Sequence, residues 1–246
     1  MKSIRILCLL LVCFVSKAQT EKNVDHQSLL WTRYSNQLTI NDKWSIQTEF
    51  DNRVFISPFE ENLYLIRTHG RYKVNSNVDL GAGVCYFSVA TQIPEVTNDF
   101  RVPEYRGQQD MIWKHEYGSI TSTQRFQVEE RFFHNADKDG LQPGTTFNWR
   151  FRYRIQGEYY CWGKEIQYLK AIVYEEIMIN AGKNIVNNTF DQNRIYAALQ
   201  YGVNKNIALE LGYMNSFQQR SSGVDYFDRD IIRFTFFHKI NLHNKK

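Results

Sequence analysis

Beyond its first eighteen residues, the 246-residue chain has no stretch of eighteen or more apolar residues, which excludes a membrane protein built from spanning helices. It has only four prolines and four cysteines. Cys8 and Cys13 fall in the opening segment, and the remaining Cys85 and Cys161 are too few for a disulfide scaffold. Surplus charge is missing as well. The formal charge of +4 includes Lys2, Arg5 and Lys17 with no acid beside them, so +1 remains without that segment and the basic balance gives no argument for nucleic acid. His26, His69, His115, His134, His238 and His243 show no metal-ligand spacing. There is no Gly-x-Ser-x-Gly elbow, phosphate loop or zinc ribbon, and no cofactor or metal is expected.

Lys2 and Arg5 precede an apolar run from Ile6 to Val15, and Ser16-Lys17-Ala18 places small residues at the two cleavage positions. Residues 1–18 therefore read as a cleaved export signal, and residues 19–246 as one domain beginning at Gln19. Val12 before Cys13 and Leu7 before Cys8 lack the small residue that lipid attachment requires.

What fills the domain is alternation. Trp44, Ile46, Thr48, Phe50, Asn52 and Val54 interleave with Ser45, Gln47, Glu49, Asp51 and Arg53; Phe147, Trp149, Phe151, Tyr153 and Ile155 interleave with Asn148, Arg150, Arg152, Arg154 and Gln156. A period of two over ten or more residues means long strands with one apolar and one charged face. Short turns at Asn41 to Lys43, Asn75 to Asn77, Tyr117-Gly118, Tyr160 to Gly163 and Asn204 to Asn206 alternate with longer polar segments at Ser57 to Glu61, Ala90 to Val102, His134 to Thr146, Asn180 to Phe190 and Gln218 to Asp225. Long strands, alternating loop lengths and abundant Tyr and Phe predict an antiparallel transmembrane outer-membrane β-barrel of ten to twelve strands, with short periplasmic turns and longer extracellular loops. Trp44, Tyr117, Tyr159 and Trp162 lie at turn ends, where an interfacial girdle would sit. Eleven candidate strands are awkward for an even-numbered barrel, and Gln27 to Ile40 is left either as a strand with an unseen partner or as a segment folded inside.

Register follows from the turns. Centring hairpins on Asp42 and Ser76 opposes Arg33 to Asp51 and Lys73 to Asp79. Leu38 then faces Ile46, Tyr34 faces Phe50, and a later hairpin sets Leu199 against Leu211. Centring on Tyr117-Gly118 opposes Asp110 to Arg125, Arg106 to Glu129 and Glu104 to Arg131, three lumen ion pairs. Centring between Cys161 and Trp162 sets Val173, Ala171 and Leu169 against Arg150, Arg152 and Arg154, leaving this arginine track without acids opposite. Such a track is either neutralised by other lumen carboxylates or lines a wet constriction that attracts anions. Asp191, Gln192, Asn193 and Arg194, at the entry of a long loop into a strand, read as a rim cluster. His115 and Ser122, near the periplasmic end of adjacent strands on the aromatic face, are a candidate pair for lipid hydrolysis.

The Trp31 to Trp44 hairpin, the strand Arg125-Phe-Gln-Val-Glu129-Glu-Arg131, the run Trp149 to Arg154, and Phe190-Asp191-Gln192-Asn193-Arg194 before a strand ending near Gly212-Tyr213 together resemble a known family. It is that of the uncharacterised outer-membrane barrels of Bacteroidota grouped as a domain of unknown function, 2490 type. The resemblance covers nearly the whole domain and implies location and fold, with no activity and no catalytic residues to carry over. The expectation is a monomer in contact with outer-membrane lipid, without nucleic acid and not an enzyme. Its role would be structural or the passage of small solutes. A lipid-modifying acyl hydrolase is the alternative, and a soluble lipid-binding barrel the third.

Overall fold

The structure, a computed structural model, describes residues 22–96, 100–164, 166–185 and 187–242. The export segment lies outside the described residues. Those residues form eleven strands: β1 (Val24–Thr39), β2 (Trp44–Phe55), β3 (Glu61–Lys73), β4 (Val78–Val89), β5 (Val102–Tyr117), β6 (Ile120–Asp137), β7 (Gly140–Gly163), β8 (Tyr168–Ala181), β9 (Phe190–Gly202), β10 (Ile207–Gln219) and β11 (Tyr226–Asn241). Consecutive strands pair antiparallel, and β1 closes the barrel by pairing parallel with β11, from Val24 beside Tyr226 to Thr39 beside Asn241. The stretch left over in the sequence is thus β1. Its partner is the last strand, so the barrel has an odd number of strands and one parallel seam.

Three turns at one end share a local cause. The side-chain oxygens of Asn41, Asn75 and Asn204 each accept the backbone N–H groups two and three residues on, at 2.8–3.0 Å, which closes the turn without a special φ. Those hairpins hold the expected register: Arg33 opposes Asp51, Lys73 opposes Asp79 and Leu199 opposes Leu211. The β5–β6 turn is instead the two residues Gly118-Ser119, with Gly118 at φ 60°. At the other end the expected loop from His134 to Thr146 is corrected to a hairpin, because β6 and β7 stay paired out to Asp137 and Gly140.

Alternation resolves into inside and outside. Phe50, Ile66, Val84, Val173, Ile195, Leu199, Leu211 and Ile232 are exposed on the outer wall, while Glu49, Asp51, Glu104, Arg106, Asp110, Glu129, Arg150, Arg152, Glu176 and Arg233 are buried within. Trp44, Tyr117, Tyr159 and Trp162 are exposed at the short-turn end. Two apolar clusters also lie within the lumen: Leu29, Trp31, Phe55, Tyr174, Tyr196, Met214 and Ile231 on one side, and Leu63, Leu65, Cys85 and Phe87 on the other.

Candidate functional site: an arginine-lined cavity

The arginine track lies on the inner face of β7, but its neighbours differ from those expected. Arg150, Arg152 and Arg154 stand beside Asn180, Met178 and Glu176, not Val173, Ala171 and Leu169. The strand runs on to Gly163 with a bulge between Tyr160 and Trp162, so the turn falls later. Opposing Arg154 to Glu176 instead of Leu169 is a slip of seven residues, an odd number that exchanges the faces of β8. The track therefore does meet an acid. Arg152 bridges Glu129 at 2.6 Å and Glu176 at 2.8 Å, and Arg150 reaches Asp191 at 2.8 Å and Glu129 at 3.7 Å. Arg154 makes no ion pair or hydrogen bond among the described residues; its guanidinium lies 5.1 Å from the Tyr174 ring centre.

The β5–β6 pairs are shifted by two because the turn centres one residue later. Arg106 directly opposes Arg131, Glu104 opposes Phe133, Gln108 opposes Glu129, Asp110 opposes Gln127 and Arg125 opposes Ile112. A shift of two keeps every side chain on its face, so two expected pairs survive diagonally: Arg106 to Glu129 at 3.2 Å and Arg131 to Glu104 at 2.7 Å. Glu104 also accepts from Arg106 at 2.7 Å, so one carboxylate bridges the two opposed guanidiniums. Asp110 and Arg125 are not partners. Asp110 takes Arg71 at 2.9 Å, and Arg125 pairs with Glu176.

The expected rim cluster divides between faces. Asp191 accepts from Asn180 at 2.8 Å and meets Arg150, Gln192 bonds Ser216, and Arg194 donates to Gln192 at 3.0 Å, all within the lumen. Asn193 points outward to Glu175 at 3.0 Å. His115 and Ser122 are opposed across the strands, yet no hydrogen bond joins them among the described residues. The His115 ring lies between Trp113 and Tyr117, with centroids at 5.0 and 6.1 Å.

A cavity of about 520 Å³ occupies the half of the lumen nearer the long connections. Thirteen of its thirty lining residues are arginines, and only two, Glu104 and Glu176, are carboxylates. Five of these guanidiniums lie over aromatic rings at 3.6–4.4 Å: Arg53 on Trp31, Arg106 on Phe87, Arg131 on Phe133, Arg229 on Phe227 and Arg233 on Tyr196. A flat ring covers one face of each guanidinium, and the N–H edges of Arg106 and Arg229 are already bonded, to Glu104 and Glu129 and to Gln27, Gln92 and Gln218. Seven cavity arginines, Arg53, Arg125, Arg150, Arg152, Arg154, Arg194 and Arg233, keep a buried Nε without a hydrogen-bond partner among the described residues. Residues 90–96 fold over the mouth, where Gln92 accepts from Gln27 and Arg229 at 3.0–3.2 Å. Towards the short turns the lumen is filled: Arg71 on Asp110, Lys170 on Glu158 at 2.6 Å, and Tyr196 and Gln200 on Glu210 at 2.7 and 3.0 Å.

Sequence reading missed Glu176, Trp31, Arg229 and Arg233. Glu176 shares the parity of the buried Lys170, Ile172 and Tyr174, and that parity was the available signal.

A family model described as "Protein of unknown function (DUF2490)" matches residues 29–227. A solved structure described as "NanC porin structure in rhombohedral crystal form" is similar at 11% identity with a TM-score of 0.49, covering 85% of this chain and 91% of that one. No curated protein matches the sequence.

Proposed function

We infer for this chain, which belongs to the DUF2490 family of proteins of unknown function, the role of an outer-membrane barrel that admits small anions from its long-loop end. The carrying observation is the cavity wall, whose thirteen arginines outnumber the eight carboxylates that pair with them, Asp25, Glu49, Asp51, Glu104, Glu129, Glu176, Asp191 and Glu210. Cations fixed in a concave, low-dielectric site sum their potentials and raise the local concentration of anions. The apolar outer wall supports a bilayer location, because lipid accepts Phe50, Ile66, Val84, Leu199 and Leu211 and water does not. Outer-membrane lipid is then the medium and the barrel acts as a monomer. It acts by binding and passage, not catalysis; His115, wedged between rings without a bond to Ser122, gives lipid hydrolysis no support.

Passage to the short-turn end requires the Arg71–Asp110 and Lys170–Glu158 belt to part or to admit water. Planar-bilayer recording in a KCl gradient tests the reading: a reversal potential favouring chloride is expected, reduced when Arg150, Arg152 and Arg154 are all changed to Gln. A folded wild-type barrel with no conductance would remove passage. A cation-favouring potential would remove the anion reading altogether.

A further inference from the structure

The cavity is lined on two sides by different chemistry, and this narrows what enters it. On the β3–β5 side of the mouth stand Leu63, Phe87, Val89, Ile93 and Val102, with no lysine and no acid among them. Deeper in, at the level where β7 faces β6 and β8, lie Arg125, Arg152 and Arg154. Arg125 and Arg152 share Glu176, whereas Arg154 has no anionic partner within ion-pair distance among the described residues. A small inorganic anion would satisfy the guanidiniums and leave the apolar wall in water. A neutral apolar molecule would cover the wall and leave Arg154 desolvated without an ion-pair partner, which is costly.

Resting on the anion reading above, we propose that the cavity binds an amphiphilic carboxylate, its head group at Arg154 and its apolar body along Leu63, Val89 and Val102. A planar carboxylate matches the two-pronged donor geometry of a guanidinium. The volume of about 520 Å³ falls within the roughly 300–1,000 Å³ typical of sites for small organic ligands. Arg154 also lies over Tyr174, so the ring covers one face of the guanidinium and its in-plane N–H edge is what the head group would meet.

Trp31 is a reporter placed by the fold. It lines the cavity and is buried, whereas the other four tryptophans, Trp44, Trp113, Trp149 and Trp162, are exposed on the outer wall. The full barrel in detergent would be titrated with 4-phenylbutyrate, acetate and 4-phenylbutanol while tryptophan emission is followed. Trp31→Phe identifies the part of the signal that comes from the cavity, and the heat-dependent gel shift of folded barrels checks every variant.

Phenylbutyrate is expected to bind at least about tenfold more tightly than either acetate or the alcohol, because burying its aromatic ring separates it from acetate and its charge-assisted contact separates it from the alcohol. Arg154→Gln should weaken phenylbutyrate by about tenfold and leave the alcohol unchanged, as loss of one charge-assisted contact implies. Val89→Asn should weaken phenylbutyrate and leave acetate unchanged. Equal affinity for acetate and phenylbutyrate would overturn the amphiphile proposal and leave the anion cavity standing. Tight binding of the alcohol alone, or no binding of either acid by a folded barrel, would overturn both.

Discussion

Glu129 is the group on which the lumen most depends, and replacing it by Gln measures how dry that lumen is. Its side chain is fully buried and accepts from Arg152 at 2.6 Å, Arg106 at 3.2 Å, and Gln108 and Gln127 at 3.0 Å, with Arg150 at 3.7 Å. Glutamine fills the same space, but its charge is gone and its amide group presents N–H to donors that need an acceptor. Three guanidiniums lose a shared counter-charge in a region from which solvent is excluded, where Coulomb terms are least screened. Removing one partner of a buried ion pair costs about 3–5 kcal/mol, and Glu129→Gln should fall in that range. The solvent-exposed Arg101–Glu61 pair provides the scale for comparison, since such pairs contribute about 0–1 kcal/mol. Urea unfolding of the barrel in lipid vesicles, followed by tryptophan emission, would show a lower midpoint at unchanged slope. Adding Arg152→Met should recover part of the loss, because it removes one of the stranded cations. A loss below about 1 kcal/mol would mean that water reaches Glu129 and screens the network, and its burial behind the arginines of the cavity wall would be wrong.

Two further outcomes follow from the same geometry. Cys161 is exposed and Cys85 is buried, and both are free thiols, so a maleimide should label the folded barrel once, at Cys161, and twice only after denaturation; a crosslink between the two cysteines would refute the topology. In a Cys161→Ser background, cysteines replacing Tyr34 and Phe236, adjacent across the parallel seam with ring centroids 5.9 Å apart, should be joined within one chain by a short bismaleimide; failure in a folded barrel would place β1 elsewhere.

How far the sequence carried depended on the turns. Where asparagine closes a turn by its own side chain, as at Asn41, Asn75 and Asn204, the centre is fixed by one residue and the register is legible on both flanking strands. At Gly118-Ser119 the centre moves by one residue, the partners slip by two, and faces survive while direct pairs do not. At Cys161 a bulge adds a residue to one strand only, which no periodicity reveals, and the face itself was lost there. The lumen network was illegible for a different reason. Its bonds skip strands: Arg71 on β3 reaches Asp110 on β5, and Arg125 on β6 reaches Glu176 on β8. A long guanidinium crosses the intervening strand only where that strand leaves room. Gly81 of β4 leaves it for Asp110, whose carboxylate lies 2.9 Å from where a Cβ at that position would stand. Pairwise register rules cannot contain a contact that depends on the absence of a side chain from a third strand.

The parallel seam connects strand number to the cavity. Every hairpin reverses the chain, so the eleventh strand of an all-hairpin sheet runs in the direction of the first, and closure then requires one parallel pair whatever the sequence. Parallel pairing is slightly less stable per residue, and the seam compensates by length and side-chain contacts. It extends over sixteen residue pairs, with Tyr34 stacked on Phe236 and bonded to His238 at 3.0 Å outside, and Arg229 donating to Gln27 at 2.7 Å inside. An even-numbered barrel would have left β1 out. The inward residues of β1 include Trp31 and Arg33, and both line the cavity together with Arg229 and Arg233 of β11. Without the odd strand Arg53 would lose the ring it lies on and Arg33 would be gone from its place 2.6 Å from Asp51. The strand that breaks the parity rule is therefore the one that completes the wall of the site.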